Sequence, residues 1–197
     1  MKLIQTICNV CFVLLTQNAF AQQKVIANVT METKSERNNE IVYRKGTKLE
    51  LSDFQGDDEP NVDAVAMAYS GVSVRYTGTI KNGLTKLDIK MYASFDKSKS
   101  WCLPGSRNER TLAHEQRHFD ITALNACALF EELQSYQFTK NFEREIADLQ
   151  KKYQKKNESD QDDYDSETDH GIKREVQEEW NQKILKAISE AGSCFKN

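Results

Sequence analysis

The segment that decides the fold is residues 108–130, which read NERTLAHEQRHFDITALNACALF. When each residue is rotated by about 100° around a helix axis, the apolar side chains gather within about 40° of one another. That stripe consists of Leu112, Phe119, Ala123, Ala126 and Phe130. The pattern predicts a helix that packs this stripe on a hydrophobic core and continues, with or without a break, to about Tyr153.

The residues before this helix have the pattern of β-strands. Apolar and polar residues alternate in several runs between residues 24 and 96, and Asn82-Gly83 lies between two of them, where both turn positions need a positive φ. We therefore predict a hairpin turn at Asn82-Gly83. Strands first and helices second indicate an α+β fold, with an N-terminal antiparallel β-sheet followed by a helical half.

The residues after the long helix are predicted to form a loop and a last helix. Residues 154–163 (QKKNESDQDD) are polar and acidic, which is typical of an exposed loop. The last helix is expected from about Gly171 to Glu190, and Ser166 and Asp169 have the spacing of a capping box at its start. Its predicted apolar stripe consists of Ile172, Val176, Trp180, Ile184 and Ile188.

The first residues have the organisation of a secretory signal peptide. A mostly apolar run ends near Leu15, too short to span a bilayer, and Ala19-Phe20-Ala21 has the small-x-small pattern of a cleavage site. We predict a signal peptide over residues 1–21, a single α+β domain over residues 22–197, and an exported product, periplasmic or extracellular, without a membrane anchor. The net charge of −3 and the lack of a basic patch argue against a nucleic-acid partner.

Three cysteines follow the predicted cleavage site: Cys102, Cys127 and Cys194. Export permits a disulfide, and three cysteines allow one bridge. If residues 108–127 form one helix, they span about 28 Å, whereas the chain from Cys102 to the start of the helix reaches roughly 20 Å. Cys102 and Cys127 should therefore not bond to each other. Cys194 is favoured as the shared partner, and which cysteine it bonds to stays open.

The motif that carries chemistry is His114-Glu115-Gln116-Arg117-His118, which contains two of the three histidines. Residues i and i+4 of a helix share a face, so both imidazoles can bind one Zn²⁺ from the same side. They fall about 40° apart and away from the apolar stripe, so the helix has one face for the core and one for a metal. Glu115 projects beside them as the candidate general base. The motif predicts a zincin-like active-site helix and one zinc ion per chain.

A catalytic zinc site needs a third protein ligand and an open position. The remaining histidine, His170, is the first candidate, and Glu167 is the second because a carboxylate is a known third ligand. Tyr164 either donates a hydrogen bond to a developing oxyanion or is an ordinary packed tyrosine, and the sequence does not separate the two. Asp120 lies about 200° round the helix from His118 and should not contact the metal.

Two blocks of the sequence resemble a family of secreted bacterial proteins that is described as zinc-dependent proteases, although its domain has no assigned function. Residues 114–121 (HEQRHFDI) are similar to the HEQxHFDI signature of that family, and residues 164–171 (YDSETDHG) are similar to its Y-D-x-E-T-x-H-G block. The resemblance covers roughly residues 60–190. It implies metal chemistry more firmly than a substrate, and it implies His170 as the third ligand because the second block contains that histidine.

The sequence thus predicts a secreted zinc-dependent metallohydrolase, first of all a metallopeptidase that hydrolyses peptide bonds through a zinc-activated water with Glu115 as base. A β-strand edge would align an extended peptide, and Leu84 to Ser94 is the candidate strand. The expected partner is a peptide or protein substrate, and the oligomeric state is not predicted. Two alternatives stay open: a non-peptide amidase or esterase of the envelope, and a non-catalytic exported binding module whose metal is structural or absent.

Overall fold

The computed structural model describes residues 24–58, 64–192 and 194–195, so the predicted signal peptide lies outside the described residues. Within these residues six strands precede three helices, which confirms the predicted α+β fold. The strands are β1 (Lys24–Met31), β2 (Glu40–Val42), β3 (Ala66–Met67), β4 (Ser70–Lys81), β5 (Leu84–Asp96) and β6 (Trp101–Cys102). The helices are α1 (Glu109–Ser135), α2 (Phe142–Thr168) and α3 (Arg174–Glu190). In the described part of the chain, no helix combines the length and apolarity needed to cross a membrane.

Strand β5 is the centre of the main sheet. It pairs antiparallel with β4 across the hairpin and antiparallel with β2 near its C-terminal end, but β1 runs parallel to it. The predicted antiparallel pairing therefore holds for β2 and β4, and β1 makes the sheet mixed. The predicted hairpin turn is present, with φ values of 52° at Asn82 and 74° at Gly83.

Because β5 has neighbours on both sides, the prediction that Leu84 to Ser94 forms an exposed edge is wrong. The backbone groups of β5 bond to β4 on one side and to β1 and β2 on the other. Its inward side chains are at most 2% exposed: Leu87, Ile89, Met91, Ala93 and Phe95. Strand β5 therefore supplies the hydrophobic floor on which α1 packs.

Helix α1 is capped by Asn108, whose side chain accepts hydrogen bonds from the backbone N–H groups of Arg110 and Thr111 at 3.0 Å each. The predicted apolar stripe is confirmed. Fully buried are Phe119, Ala123 and Ala126, with Leu112 and Phe130 partly buried beside them. On its other side α1 contacts a small cluster that includes residues of α2 and α3. The helix therefore lies between the sheet and the two later helices.

Residues 154–163, predicted as an exposed loop, are helical and belong to α2, so that prediction is wrong. This segment docks on α1 through polar contacts. Asp160 Oδ2 accepts from Asn125 Nδ2 at 2.8 Å, and Gln161 Nε2 donates to the backbone oxygen of His118 at 3.0 Å. This polar segment is therefore helical, and its side chains that face α1 are partly buried and hydrogen-bonded.

The last helix begins at Arg174, later than predicted, and the predicted capping box at Ser166 and Asp169 is wrong. Helix α2 runs past Ser166, and Asp169 is its C-terminal cap. Asp169, His170 and Gly171 have consecutive positive φ values of 52°, 51° and 77°. This left-handed turn, residues 169–171, reverses the chain between α2 and α3.

Cys127 on α1 forms a disulfide with Cys194, which follows α3, and their Cα atoms are 5.6 Å apart. Cys102 is a buried free thiol. Cys194 is thus confirmed as a disulfide partner, and Cys102 and Cys127 do not bond to each other, as predicted. The bond spans 67 residues and ties the end of the helical half to α1.

Removal of this disulfide should lower the free energy of unfolding by about 4 kcal/mol, because the bond restricts a loop of 67 residues in the unfolded chain. The measurement is urea unfolding of the wild type and of Cys127→Ala/Cys194→Ala, with and without reductant. Reductant should lower the midpoint of the wild type and of the control variant Cys102→Ala, but not that of the double variant. A wild-type midpoint that does not respond to reductant would contradict the assigned bond.

Candidate metal centre

Three potential ligand atoms converge on the side of α1 that faces away from the sheet core. His114 Nε2 and His118 Nε2 lie 3.1 Å apart. Oδ1 of Asp165, on α2, lies 3.1 Å from the first and 3.0 Å from the second. The i, i+4 spacing puts both rings on one face of α1, as predicted. These three atoms, called the ligand triangle below, belong to classes that bind divalent metals, so they could hold one ion.

Gln161 on α2 fixes the orientation of the His118 ring. Its Nε2 donates to the backbone oxygen of His118 at 3.0 Å and to Thr122 Oγ1 at 3.1 Å. Because a carbonyl oxygen accepts and never donates, the amide nitrogen must lie there, and Oε1 then faces His118 Nδ1 at 2.6 Å. His118 therefore carries a proton on Nδ1. When the ring carries no second proton, the lone pair of Nε2 points at the ligand triangle.

A relay through α3 fixes the His114 ring in the same way. Arg117 Nε donates to Asn181 Oδ1 at 3.0 Å, and a guanidinium never accepts, so Asn181 must present its oxygen. Gln177 Nε2 donates to that oxygen at 3.1 Å, which turns its Oε1 towards His114 Nδ1 at 3.0 Å. His114 therefore also carries its proton on Nδ1. With the proton on Nδ1, Nε2 is the ring nitrogen that could bind a metal.

The ligand triangle requires a positive counter-charge, because its three electron-rich atoms lie 3.0–3.1 Å apart. Burial lowers the pKa of His118, but the hydrogen bond to Asp165 and the charge of Glu115 outweigh it, and this pKa lies above its ordinary value. Burial raises the pKa of Asp165, yet hydrogen bonds with His114 and His118 hold it well below its usual range. A proton on the rings or a bound metal ion meets the same requirement, so the two compete.

Glu115 lies beside the ligand triangle and lines the same cleft, although the residue is 5% exposed. Burial raises its pKa, while the charges of His118 and His114 and a hydrogen bond from the backbone N–H of Ala68 oppose that rise. Glu115 thus occupies the position predicted for a general base, next to the potential ligands but outside their group of three.

His170, the predicted third ligand, lies at the rim of the site. Its side chain is 68% exposed, and its Nδ1 is 3.6 Å from Asp165 Oδ1. Asp165 takes the third corner of the triangle. Arg110 holds the left-handed turn on α1 by donating to the backbone oxygens of Gly171 and Ile172, the latter at 3.0 Å. His170 is therefore close to the site, and its role as a ligand stays a prediction.

Glu167 and Asp120 lie outside the cleft. Glu167, the alternative third ligand, accepts a hydrogen bond from the indole of Trp180 at 2.7 Å. Asp120 is buried and accepts from Tyr43 Oη at 2.9 Å. Asp120 has the packing role expected from its place on the helix, and the position of Glu167 does not favour metal binding.

Tyr164 supports the site from behind. The residue is fully buried, and its ring stacks on the His114 imidazole with 4.8 Å between centroids. Its hydroxyl accepts from Gln177 Nε2 at 2.7 Å. Burial raises the pKa of the phenol above its ordinary value. Because Tyr164 does not line the cleft, its position favours the packed tyrosine over the oxyanion donor.

The ligand triangle opens into a cleft of about 1100 Å³. Residues 64–70 line it on the strand side, and residues 169–172 line it on the side of the left-handed turn. This volume lies slightly above the usual range for small-molecule pockets, so a segment of a larger substrate fits.

Sequence reasoning missed Asp165, Gln161 and Gln177 as site residues. Gln161 and Asp165 are four residues apart, so a continuous helix places them on one face. The assignment of residues 154–163 to a loop concealed that spacing. Gln177 corresponds to a glutamine in the helix that follows the second block of the resembled family, but its role depends on the way α3 packs beside α1.

Comparison of the chain with protein-family models, with curated proteins and with solved structures finds no match. The family resemblance drawn from the two sequence blocks therefore stays a prediction.

The two candidate third ligands can be separated by substitution. Asp165→Ala should weaken Zn²⁺ binding by on the order of 100-fold or more, because it removes one corner of the triangle. His170→Ala should weaken it by less than about tenfold, since that ring is exposed at the rim. The measurement is competition for Zn²⁺ against a chromophoric chelator. Equal losses in both variants would make His170 a ligand as well.

Gly171 tests how closely the left-handed turn controls the metal site. A Cβ at Gly171 would lie 3.0 Å from His114 Nδ1 and 3.3 Å from Gln177 Oε1. Gly171→Ala should therefore weaken Zn²⁺ binding by roughly tenfold, because it displaces the hydrogen bond that orients His114.

Gly46→Ala is the matched control, since Gly46 has a φ of 81° and nothing within 4 Å of an added Cβ. Both substitutions should cost about 1–2 kcal/mol of stability through backbone strain. Thermal unfolding checks that loss, and chelator competition checks Zn²⁺ affinity. An unchanged affinity in Gly171→Ala would show that the turn does not restrain His114.

Proposed function

We propose that this protein is a zinc-dependent metallohydrolase, in the first place a metallopeptidase, that acts after export to the periplasm or the extracellular space. The observation that carries the proposal is the convergence of His114, His118 and Asp165 ligand atoms at 3.0–3.1 Å beside the buried Glu115. The disulfide supports export, because disulfides persist in oxidising compartments.

The donor set fits zinc in number and kind. Two imidazole nitrogens and one carboxylate oxygen form a known catalytic set that leaves one position open. A tetrahedral ion at about 2.0–2.1 Å from each donor separates the donors by roughly 3.3 Å. The spacing in the ligand triangle, 3.0–3.1 Å, is close to that value. The same donor set binds Fe(II) in oxygenases, but a Glu between the two histidines is typical of zinc hydrolases.

When bound, the zinc ion supplies Lewis acidity to the attacking water and to the carbonyl of the scissile bond. Glu115 takes one proton from that water and passes it to the leaving amine, so the bond breaks into an acid and an amine. A pKa raised mainly by burial suits a carboxylate that must both accept and release a proton. Gln161 and Gln177 keep the two histidine rings oriented by accepting hydrogen bonds from their Nδ1 atoms.

A peptide substrate is favoured over a small molecule because an extended backbone segment, residues 64–70, lines the cleft. The same ligands can serve an amidase or esterase that acts on non-peptide envelope material. A binding module with a structural metal would need a fourth protein ligand, and the group found within the described residues has three.

The test compares the zinc-loaded wild type with Glu115→Gln on reduced, unfolded casein, with products read by mass spectrometry. Glu115→Gln should keep one zinc ion per chain, because Glu115 is not among the potential ligands. It should lose at least about 100-fold in turnover, because it lacks the base. Glu179→Gln on the exposed side of α3 is the matched control and should keep full activity.

A wild-type protein that binds no zinc would overturn the proposal. Iron bound in its place would favour oxygen chemistry, and Fe(II) should therefore be measured in the same metal analysis. Cleavage that persists in Glu115→Gln would exclude Glu115 as the base. Zinc binding without casein cleavage, but with hydrolysis of model amides or esters, would move the assignment to a non-peptide hydrolase.

A further inference from the structure

A second group of potential metal ligands surrounds the disulfide. In the part of the chain that the structure describes, Cys127, Glu131 and Cys194 each place one donor atom within 4.8 Å of the other two. Glu131 Oε1 is 3.8 Å from Cys127 Sγ and 3.9 Å from Cys194 Sγ. One carboxylate oxygen is therefore almost equally close to both sulfurs.

Helix α1 fixes the place of this group. Cys127 and Glu131 are four residues apart, so they share one face of the helix. Cys127 is nine residues beyond His118, about 14 Å along the helix axis, so the group is distinct from the ligand triangle. Both cysteines are buried, whereas Glu131 is exposed. Glu131 therefore connects the two buried sulfurs with the solvent from which an ion would come.

Reduction of the disulfide converts this group into a donor set that suits zinc. A tetrahedral Zn²⁺ at about 2.3 Å from sulfur and about 2.0 Å from oxygen separates sulfur from oxygen by about 3.5 Å and the two sulfurs by about 3.8 Å. The oxygen of Glu131 already lies 3.8–3.9 Å from both sulfurs. The Cα atoms of the cysteines are 5.6 Å apart, so rotation of their side chains is enough to separate the freed sulfurs.

The charges of the reduced group also favour a cation. Two thiolates and one carboxylate carry three negative charges, and both sulfurs are buried. Without a cation the sulfurs stay protonated, because burial and the neighbouring carboxylate both oppose ionisation. A Zn²⁺ ion replaces the two thiol protons and removes the repulsion.

We propose that the reduced protein binds a second Zn²⁺ through Cys127, Cys194 and Glu131, and that this ion replaces the disulfide as the link between α1 and the chain after α3. A dithiol supplies the two electrons: it becomes a disulfide, and each cysteine sulfur gains one hydrogen atom. Zn²⁺ then binds both sulfurs, and two protons pass to the solvent. Either link closes the same loop of 67 residues, so α3 stays docked in both redox states. This site is independent of the proposed hydrolase function, because it shares no residue with the ligand triangle.

The first test uses Co²⁺ in place of Zn²⁺, because thiolate ligands give Co²⁺ a charge-transfer absorption in the near ultraviolet that imidazole and carboxylate ligands do not. The reductant is a water-soluble phosphine, which takes up an oxygen atom from water as it is oxidised, since a dithiol would compete for the metal. Reduction should add one bound Co²⁺ per chain together with this absorption. The same gain should occur in Cys102→Ala and be lost in Cys127→Ala/Cys194→Ala. A reduced wild type without the absorption, or a double variant with it, would overturn the site.

Glu131→Gln separates a built site from thiols that bind metal in an unfolded chain. An amide oxygen is a weaker ligand than a carboxylate, so the added Co²⁺ should bind on the order of tenfold more weakly. Glu190→Gln, which removes an exposed acid at the end of α3, is the matched control and should change the affinity by less than about twofold. Equal affinity in the wild type and Glu131→Gln would show that the metal binds to the thiols alone and would overturn the three-residue site.

Urea unfolding in the presence of the phosphine tests the role of the ion as a link. Zn²⁺ should restore most of the midpoint that reduction costs the wild type, because the ion binds the folded chain. In Cys127→Ala/Cys194→Ala, Zn²⁺ can act only through the ligand triangle, and the smaller shift in that variant is the baseline. Equal shifts in the two proteins would overturn the replacement of the disulfide by zinc.

Discussion

The hydrogen bonds that His114 and His118 donate through Nδ1 set the arrangement of the whole helical half. Their acceptors are glutamines on two different helices, so α2 and α3 must both lie against the same face of α1. Each glutamine turns its oxygen towards a histidine because its amide nitrogen donates elsewhere, to the backbone oxygen of His118 or to Asn181 Oδ1. The hydrogen-bond directions in this network are fixed at both ends. The guanidinium of Arg117 can only donate, and the backbone carbonyl of His118 can only accept.

This network adds to the apolar contacts that dock α2 and α3 on α1, which include Ile121, Tyr164 and Ile184. One part of the contact between α1 and α2 near the site is polar, with Asn125, His118 and Thr122 bonded to Asp160 and Gln161. Such an interface stabilises the fold only when its members are satisfied. Within the described residues, the buried side-chain atoms without a partner are Asn125 Oδ1 and Trp101 Nε1, so the network is close to complete. The sheet core beneath α1 supplies further apolar burial.

The sequence predicted what depends on periodicity. The stripe on α1, the turn at Asn82-Gly83 and the two histidines one turn apart follow from local spacing, and the structure has all three. The prediction from the sequence failed where a polar segment of a helix packs against another helix. Residues 154–163 lack the apolar side chains that mark a buried helix face, although Gln161 and Asp165 keep the helical interval. The pairing of the strands could not be predicted either. Strand β5 is central because β1, which is far away in the sequence, pairs with it in parallel.

Helix α3 is fastened at both ends, and this affects how the site recovers from fluctuations. Arg110 holds the turn before the helix, and the disulfide from Cys127 holds the chain just after it. If α3 detaches transiently, Gln177 therefore stays within a short tether of His114, and its effective concentration at the ring remains high. Reformation of the hydrogen bond is then a local event that needs no diffusional search. The cross-link far from the cleft thereby shortens the time during which His114 is free to turn its ring.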